Sequence, residues 1–452
     1  MSTLLVRHAD EVVTMDSQRR RIADGGVFVR DGVILAVGAT ASLPHTADRV
    51  INAHGRVILP GLINTHHHLY QTLTRALPPA ADVELFDWLM YLYPVWAGLD
   101  AEAIYNSALI GLAELLLSGC TTVSDHLYLF PNGAHLSDEI RAARQLGVRF
   151  HPCRGSMSLG RSRGGLPPDS VVQSEAEIQA DLERVVAEFH DPAPYSMLRV
   201  VVAPCSPFSV TTESMRESAQ WAREHGLMLH THVAETLDEE AFCRRTFGMR
   251  PVAYMQSVGW VGPDVWYAHA VHLNQDEIRL LAETGTGVAH CPGSNMRLGS
   301  GIAPIREMRD AGVKVGLAVD GSASNDSGHL LLEARLAMLL QRVQKGAGAM
   351  SAAEALEIAT LGGAQVLGRP DLGSLEPGKA ADFVAFDLSR LEYAGAHDAL
   401  AALLFCAPTP CDLSVINGRV VVEGGQIVGL DLERAVRRQN EIARRLLRRL
   451  DA

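Results

Sequence analysis

The distribution of apolar residues changes twice along the chain. Over the first 58 residues, short β-like runs such as Val33 to Val37 are separated by Asp/Gly turns, which is typical of a small β-unit. From Gly61 to about Gly368, strand-like runs alternate with segments of helical periodicity, for example Ala101 to Ser118 and Glu175 to Phe189. This alternation predicts a parallel sheet covered by helices.

Short β-like runs return after Pro370. The runs Leu413 to Ile416 and Arg419 to Val422 flank Asn417-Gly418, a dipeptide that favours a two-residue hairpin turn. Both chain ends are therefore interpreted as halves of one β-sandwich. We predict an α/β fold with a (β/α)8 TIM-like barrel at 59–369, a small β-sandwich domain built from 1–58 and 370–430, and a C-terminal helix at 431–452.

Three histidines end the first strand-like run of the predicted barrel, into which the segment from Val57 to Asn64 leads. Side chains two positions apart on a strand face the same side. His66 and His68 are therefore expected to project together into the barrel, whereas His67 faces away. Two imidazoles make only half of a metal site, because zinc catalysis uses about three or four protein ligands and an open position for water.

Candidates for the missing ligands end later strand-like runs. His232 is the expected third ligand, and Asp320 completes the set. Glu235 and His269 occupy similar places at the ends of their runs. Catalytic residues gather where the strands of a (β/α)8 barrel meet their following loops. Isolated histidines are more often structural, so packing roles are expected for His67, His126, His230, His272 and His290.

Net charge narrows the choice of partner. The formal charge of −12 argues against binding to nucleic acid or to an acidic membrane surface, since both require clustered positive charge. A small neutral or cationic substrate is favoured. The basic segment from Arg434 to Arg449 has leucines at helical spacing, which predicts a solvated helix packed on the body of the protein.

Cysteine usage and hydropathy favour a cytoplasmic protein. Seven cysteines are scattered without a C-x-x-C pair, which argues against a disulfide framework or a zinc ribbon. The N-terminal residues reach charged side chains before a signal-peptide core could form. No run approaches the roughly 20 apolar residues of a membrane span.

Six longer motifs follow one another along the chain. They are Pro60-Gly-Leu-Ile-Asn-Thr-His-His-His68, His230-Thr-His-Val-Ala-Glu235, Ala268-His-Ala-Val-His-Leu273, His290-Cys-Pro-Gly-Ser-Asn295, Asp320-Gly-Ser-Ala-Ser-Asn-Asp326 and Gly373-Ser-Leu-Glu-Pro-Gly-Lys-Ala-Ala-Asp-Phe383. In this order they resemble the amidohydrolase superfamily, in particular its mononuclear metal-dependent deaminases of nucleobases and related heterocycles. The resemblance covers nearly the whole chain and implies a hydrolase acting on C–N bonds of cyclic amidines.

The resemblance also implies individual roles. The metal ligands would be His66, His68, His232 and Asp320, while Glu235 would shuttle a proton to the substrate ring and His269 would polarise water or hold the developing intermediate. Binuclear relatives carry a carboxylated lysine on the fourth strand. The segment Val200 to Ser206 contains no lysine, so one divalent ion is expected. Three imidazoles and a carboxylate suit zinc, iron or cobalt; Zn2+ is the default and Fe2+ an alternative.

The implied reaction is hydrolytic deamination of an aromatic nucleobase by a metal-bound hydroxide. A divalent ion lowers the pKa of water from 15.7 toward ~7. Asp320 can take the water's proton, and Glu235 then protonates a ring nitrogen beside the attacked carbon. The proton held by Asp320 passes to the departing amine, and ammonia leaves.

Gln71 and Cys205 narrow the substrate. Gln71 follows His68 by three residues, where guanine deaminases have a glutamine that reads the purine amide edge; the alternative is a solvated glutamine at a helix start. Guanine deaminases also have Pro-Arg-Phe on the fourth strand, whereas Cys205 stands in place of that arginine. The pattern is most similar to 8-oxoguanine deaminases, which implies uric acid as the product.

Trp88 and Arg154 are further candidates for substrate binding. Trp88, or Trp96 in the same aromatic run, could stack on a planar base, and packing between helices is the alternative. Arg154 could contact the substrate or form a surface ion pair. The open alternatives are guanine, isocytosine, cytosine, an s-triazine, adenosine or S-adenosylhomocysteine as substrate, and, remotely, an inactive relative. We also expect a homo-oligomer, because the small-residue-rich helices are compatible with one.

Overall fold

Five strands lie in the N-terminal part of the computed structural model, which describes residues 2–448. They are β1 (Thr3–Val13), β2 (Arg21–Arg30), β3 (Val33–Ala39), β4 (Arg49–Asn52) and β5 (Arg56–Pro60). Strand β1 pairs antiparallel with β2 and parallel with β4 and β5. The register of β1 against β2 shifts between Val6 and Ala9, where His8 has a positive φ of 60°.

Eight parallel strands then form a closed barrel, which confirms the predicted fold class. They are β6 (Leu62–Asn64), β7 (Cys120–Leu127), β8 (Arg149–Ser156), β9 (Val201–Pro204), β10 (Leu229–Val233), β11 (Val265–His269), β12 (Gly287–His290) and β13 (Val315–Leu317). Pairing of Leu317 with Asn64 closes the barrel. The apolar run from Val57 to Asn64 divides at Gly61, because its first part belongs to β5 and only its second part to the barrel.

Four strands return the chain to the first sheet: β14 (Phe383–Asp387), β15 (Leu413–Ile416), β16 (Arg419–Glu423) and β17 (Gln426–Ile427). Strand β14 pairs antiparallel with β5, so both chain ends contribute to one mixed sheet of nine strands within the described residues. The predicted hairpin is confirmed, since Asn417 and Gly418 connect β15 to β16 with φ of 49° and 74°. Val27, Phe383 and Val415 share one apolar cluster on this sheet.

Helices connect the barrel strands and follow them. Their bounds are α1 (Leu85–Trp96), α2 (Ala101–Leu117), α3 (Leu136–Leu146), α4 (Glu175–Phe189), α5 (Thr212–Glu224), α6 (Leu237–Phe247), α7 (Pro251–Ser257), α8 (Gln275–Thr284), α9 (Pro292–Arg297), α10 (Ile305–Asp310), α11 (Leu330–Lys345), α12 (Ala352–Glu357), α13 (Gly363–Val366), α14 (Ala399–Phe405) and α15 (Leu432–Arg448). Asp100 caps α2, and Ser174 and Glu177 form a capping box at α4. Within residues 2–448, each helix is too short or too polar for a transmembrane span.

Helix α15 packs on α2. Its buried residues recur at helical spacing and are Ala435, Gln439, Ile442 and Leu446. Arg438 and Arg445 form ion pairs with Glu102, and Arg445 also pairs with Asp100. The described part of the basic segment is thus a helix packed on the body, as its pattern predicts. Residues 449–452 of the predicted C-terminal helix lie outside the described residues.

A buried ion pair joins the barrel to the terminal sheet. The guanidinium of Arg149 donates to both carboxylate oxygens of Asp382, with N–O distances of 2.8 and 2.9 Å. Bidentate pairing of this kind offsets the cost of burying two charges. The backbone N–H of Gly61 donates to the carbonyl oxygen of Asp382. The junction therefore fixes the start of β6, the strand that leads to the first histidines.

Replacement of Gly61 by alanine is expected to destabilise this junction. An added Cβ would lie 2.0 Å from Thr121 Oγ1 and 2.3 Å from its Cγ2, so the buried barrel strand would have to shift. Overpacking of this kind costs about 1–3 kcal/mol, which chemical denaturation can measure. The control is Gly348→Ala, since Gly348 is exposed and has open space around it. Equal stability of the two variants would contradict the expectation.

Candidate metal centre and active site

Three histidines and one carboxylate converge at the C-terminal end of the barrel. His66 and His68 follow β6, His232 lies on β10, and Asp320 follows β13. His68 Nε2 lies 3.1 Å from His232 Nε2, and Asp320 Oδ1 lies 3.3 Å from His66 Nε2 and 3.5 Å from His68 Nε2. All four side chains are buried. The structure thus brings together the four residues predicted as ligands.

Backbone carbonyls determine which nitrogen carries the proton in two of the rings. His68 Nδ1 lies 2.7 Å from the carbonyl oxygen of His126, and His232 Nδ1 lies 2.7 Å from that of Cys205. A carbonyl oxygen only accepts, so both Nδ1 atoms donate. In the neutral rings, each Nε2 atom therefore presents a lone pair to the space between them.

His230 determines the tautomer of the third ring. His230 Nδ1 lies 3.0 Å from the carbonyl oxygen of Trp266 and donates to it, so its Nε2 accepts. His66 Nδ1 lies 2.7 Å from that Nε2 and must donate. His66 Nε2 then also carries a lone pair, and it faces Asp320 Oδ1.

Three lone pairs and a carboxylate that face one point fit a divalent cation. Neutral nitrogen atoms 3.1 Å apart repel one another unless a positive charge lies between them. Burial lowers the pKa of His66, His68 and His232, which keeps the rings in the form that binds metal. Burial alone would raise the pKa of Asp320, but His66 and His269 hold it well below its usual value.

Glu235 and His269 form a second pair beside these ligands. His269 Nε2 lies 3.5 Å from Glu235 Oε2 and 3.9 Å from Asp320 Oδ2, and its Nδ1 lies 3.0 Å from Asn295 Oδ1. Burial raises the pKa of Glu235 to about 7. Burial would lower the pKa of His269, but the charge of Glu235 raises it well above its usual value. A carboxyl group that can hold or release a proton near neutral pH thus faces the cavity described below.

Positive φ angles mark the loops that carry these groups. They occur at Ala234 (56°), His269 (71°), Ala270 (49°) and Asp320 (61°). Residues with a Cβ keep this costly conformation only where their surroundings hold it. Glu239, a buried residue of α6, accepts the backbone N–H groups of Ala234 and Glu235, each at 2.8 Å. It thereby holds the backbone from which the Glu235 side chain enters the site.

A cavity lies next to the four ligands. Its wall includes His68, Gln71, Leu85, Trp88, Leu89, Tyr93, Tyr128, Cys205, Ser206, Phe208, His232, Glu235, His269, Leu298, Asp320 and Ser324. The Trp88 indole N–H donates to the Ala323 carbonyl at 3.2 Å, and Gln71 Oε1 accepts the Ala323 N–H at 3.3 Å. Burial raises the pKa of Cys205 to about 12, so it stays a thiol. An apolar, aromatic wall with a few polar groups suits a planar heterocycle.

The sequence pattern of the amidohydrolase family matches residues 57–425 of this chain. This chain belongs to that family. The amidohydrolase is 49% identical to an 8-oxoguanine deaminase of Pseudomonas aeruginosa, over 94% of this chain and 95% of that protein. It is 41% identical to a hydroxydechloroatrazine ethylaminohydrolase of Pseudomonas sp. strain ADP, over 99% and 96% of the two chains. A zinc-bound atrazine chlorohydrolase from Arthrobacter aurescens superposes with a TM-score of 0.94 at 36% identity, over 97% of this chain and 100% of the other.

The comparisons and the site agree on the class of chemistry. The amidohydrolase is a metal-dependent hydrolase that acts on C–N bonds, and it is a hydrolytic deaminase of a heterocycle. The lone pairs of His66, His68 and His232 and the carboxylate of Asp320 would hold the divalent ion.

Arg154 does not line this cavity, and of the two roles predicted for it the structure shows an ion pair, which is buried and not at the surface. Its side chain donates to Asp181 at 2.7 Å and to Gln173 at 3.0 Å, and its guanidinium stacks on Phe130. These contacts point it away from the barrel interior, toward helix α4. The alternative tryptophan, Trp96, also lies outside the wall and donates to Thr74. Of the substrate-binding candidates, Gln71, Trp88 and Cys205 line the cavity.

Several residues of the site were not found by sequence reasoning. Tyr93, Tyr128 and Phe208 complete the aromatic wall, and Glu239 supports Glu235 from behind. Tyr93 was detectable in principle, because Leu85, Trp88, Leu89 and Tyr93 recur at helical spacing on one face of α1. Glu239 carried no comparable signal, since a glutamate in the first turn of a helix is common.

Replacement of Glu239 by glutamine is expected to lower both stability and turnover. A glutamine offers one acceptor oxygen, so its amide NH2 would face a backbone N–H that has lost its partner, at a cost of about 1–3 kcal/mol. Denaturation of the metal-loaded protein and ammonia release would be measured together. The matched control is Glu277→Gln, which disturbs the side-chain bond that Glu277 accepts from the Asn274 N–H at the start of α8 and the pair with Arg250, away from the cavity. Equal loss of turnover in both variants would argue against a specific effect on Glu235.

Proposed function

We propose that this amidohydrolase converts 8-oxoguanine and water into uric acid and ammonia, with one bound Zn2+. The observation that carries the proposal is the presence of Gln71 and Cys205 together in the cavity wall. The 49% identity to an 8-oxoguanine deaminase over almost the whole chain supports it. The bound zinc of the atrazine chlorohydrolase supports zinc as the metal. The cytoplasmic location and the homo-oligomer stay predictions.

The four ligands and the Glu235–His269 pair act in different steps of the proposed reaction. His66, His68, His232 and Asp320 would hold a divalent ion, which when bound would lower the pKa of a water molecule toward ~7. Asp320 accepts the proton of the attacking water, since it is held ionised and lies beside two of the ligand rings. His269 lies between Glu235 and Asp320 and stabilises the oxygen as it bonds to the ring carbon.

Glu235 supplies the proton that makes the ring carbon reactive. With its pKa raised to about 7, it is substantially protonated at neutral pH. Its carboxyl group protonates the ring nitrogen beside the carbon that bears the amine, and the carbon becomes tetrahedral as the C–O bond forms. The proton on Asp320 then passes to the amine, the new hydroxyl group gives its proton back to Glu235, the C–N bond breaks and ammonia departs. The carbonyl of the product forms in its place.

Residues of the cavity wall recognise the ring. The amide of Gln71 offers a donor and an acceptor to the purine amide edge. Trp88 is held by its bond to Ala323 and provides a flat wall for a planar base. Cys205 is small and uncharged, and it leaves room at a position where guanine deaminases are expected to carry an arginine.

A second candidate is an s-triazine aminohydrolase. The 41% identity to hydroxydechloroatrazine ethylaminohydrolase favours it, because a triazine presents the same ring nitrogen beside an amine-bearing carbon. Guanine, isocytosine, cytosine, adenosine and S-adenosylhomocysteine are the other substrates to compare. An inactive relative is disfavoured by the converging ligands and the adjacent carboxyl group.

Removal of the metal is expected to abolish ammonia release. Dialysis against a chelator should leave protein with less than one metal ion per chain and background activity, because the four ligands are the proposed site. Addition of Zn2+ should restore both metal content and rate, and addition of Fe2+ under anaerobic conditions tests the alternative metal. His232→Ala should bind less than one zinc per chain. Full activity at negligible metal content would exclude the proposed chemistry.

Turnover across a panel of heterocycles tests the substrate. The zinc-loaded protein should release ammonia far faster from 8-oxoguanine than from guanine, isocytosine, cytosine, adenosine, S-adenosylhomocysteine or an amino-triazine. Glu235→Gln is the control and should slow the preferred reaction on the order of 10²- to 10⁴-fold while metal content is unchanged. A triazine or a nucleoside as best substrate would refute 8-oxoguanine and leave the metal chemistry standing.

A further inference from the structure

The hydroxyl group of Tyr93 is a buried polar group without a protein partner. Tyr93 lies on α1, is fully buried and lines the cavity. Its hydroxyl oxygen makes no hydrogen bond to any of residues 2–448. Buried hydroxyl groups in folded proteins are normally paired, because leaving one unpaired forfeits its bonds to water.

Two other buried tyrosines of this protein, Tyr267 and Tyr393, follow that rule. The hydroxyl of Tyr267 donates to the carbonyl oxygen of Trp260, and that of Tyr393 lies 2.8 Å from Thr409 Oγ1. The Tyr70 hydroxyl interacts with the side chains of Tyr128 and Gln71, and Tyr70 is not part of the cavity wall. Tyr93 therefore combines an unpaired hydroxyl with a place in the wall of the site.

The neighbours of Tyr93 indicate what its hydroxyl can do. Burial raises the pKa of Tyr93 well above its usual value, and the nearby Cys205 adds to the rise. The group is thus a neutral O–H that can donate, next to a thiol that also lines the cavity. Leu85, Leu89 and Phe208 make much of the remaining wall apolar. Their side chains have no hydrogen-bonding group, so they do not compete with the Tyr93 hydroxyl for a polar atom of the ligand.

We infer that the Tyr93 hydroxyl is a substrate contact that donates to a ring carbonyl oxygen remote from the exchanged amine. This inference rests on the proposed function, in which the extra oxygen of 8-oxoguanine is such an acceptor. A buried donor rejects ligands that lack its acceptor, because the donor then stays unpaired. Tyr93 thereby determines specificity for oxo-substituted bicyclic rings, while the metal ligands and Glu235 act on the other end of the substrate.

Tyr93→Phe tests this contact with substrates that differ by one oxygen. In the zinc-loaded enzyme, kcat/KM for 8-oxoguanine should fall on the order of 10- to 100-fold. Guanine lacks the remote oxygen, and isocytosine contains only the reacting ring, so kcat/KM for these two should change less than about 3-fold. Equal losses on all three substrates, or no loss on 8-oxoguanine, would overturn the inference.

The thermal unfolding temperature without substrate distinguishes a substrate contact from a structural role. A structural role predicts a lower unfolding temperature for Tyr93→Phe, and a substrate contact does not. Tyr93→Phe removes an unpaired hydroxyl and should unfold at the same temperature as the parent protein or higher. Tyr267→Phe is the matched control, because it leaves the Trp260 carbonyl without its donor and should unfold at a lower temperature with no change in substrate preference. A fall in the unfolding temperature of Tyr93→Phe would show that the hydroxyl supports the fold instead.

Binding of uric acid separates this inference from the proposed function. Uric acid should raise the unfolding temperature of the parent protein more than that of Tyr93→Phe. If the parent protein does not deaminate 8-oxoguanine, the proposed function fails. The inference then survives only if the variant loses kcat/KM selectively on a preferred substrate that has a remote ring oxygen, relative to its analogue without that oxygen. If the preferred substrate has no such oxygen, both proposals fail.

Discussion

Three imidazole lone pairs converge because the opposite nitrogen of each ring already has a hydrogen-bond acceptor. The carbonyls of His126 and Cys205 accept from His68 and His232, and His230 accepts from His66. The His126 carbonyl belongs to β7, next to β6, and the Cys205 carbonyl follows β9, next to β10, whereas His230 of β10 reaches His66 across the barrel; strand order and barrel closure together fix the tautomers. A cation is required to balance what results, since burial keeps the rings neutral and Asp320 stays ionised. The barrel thus places three nitrogen lone pairs and one carboxylate around a single point, where they repel one another in the absence of a cation.

Buried carboxyl groups hold the loops around that point. Glu239 accepts the N–H groups of Ala234 and Glu235, and Asp125 accepts the N–H of Leu69, directly after His68. Glu333 accepts the N–H of Gly293 and the side-chain amide of Asn325, whose other contact is the carbonyl of Val319. Glu239 of α6 and Glu333 of α11 therefore hold two of these loops from the helical layer, and Asp125 of strand β7 holds the third. This arrangement explains how residues with positive φ persist at the site.

Local sequence patterns predicted most of the fold and most of the reactive centre. They did not predict the direction in which individual side chains point. His66 and His68 converge as the strand-alternation argument predicts, although both lie just after β6, and the position of each site residue after an apolar run placed it at the barrel mouth. Arg154 also lies on a barrel strand, but nothing local distinguishes a strand residue that faces the interior from one that faces the helices. Its partner Asp181 comes from α4, which only the tertiary fold brings near. Tyr93 and Glu239 likewise acquire their roles through contacts between distant elements.

The division of one apolar run at Gly61 has a consequence for the order of assembly during synthesis. Strand β5 leads directly into the first metal-binding strand, and its antiparallel partner β14 pairs Phe383 with Pro60. On the ribosome, the N-terminal histidines therefore emerge long before the strand that anchors them and before Asp320. Pairings so distant in sequence slow folding and leave strand edges exposed meanwhile. The complete set of four ligands is therefore available only after Asp320 has been synthesised, late in the growth of the chain.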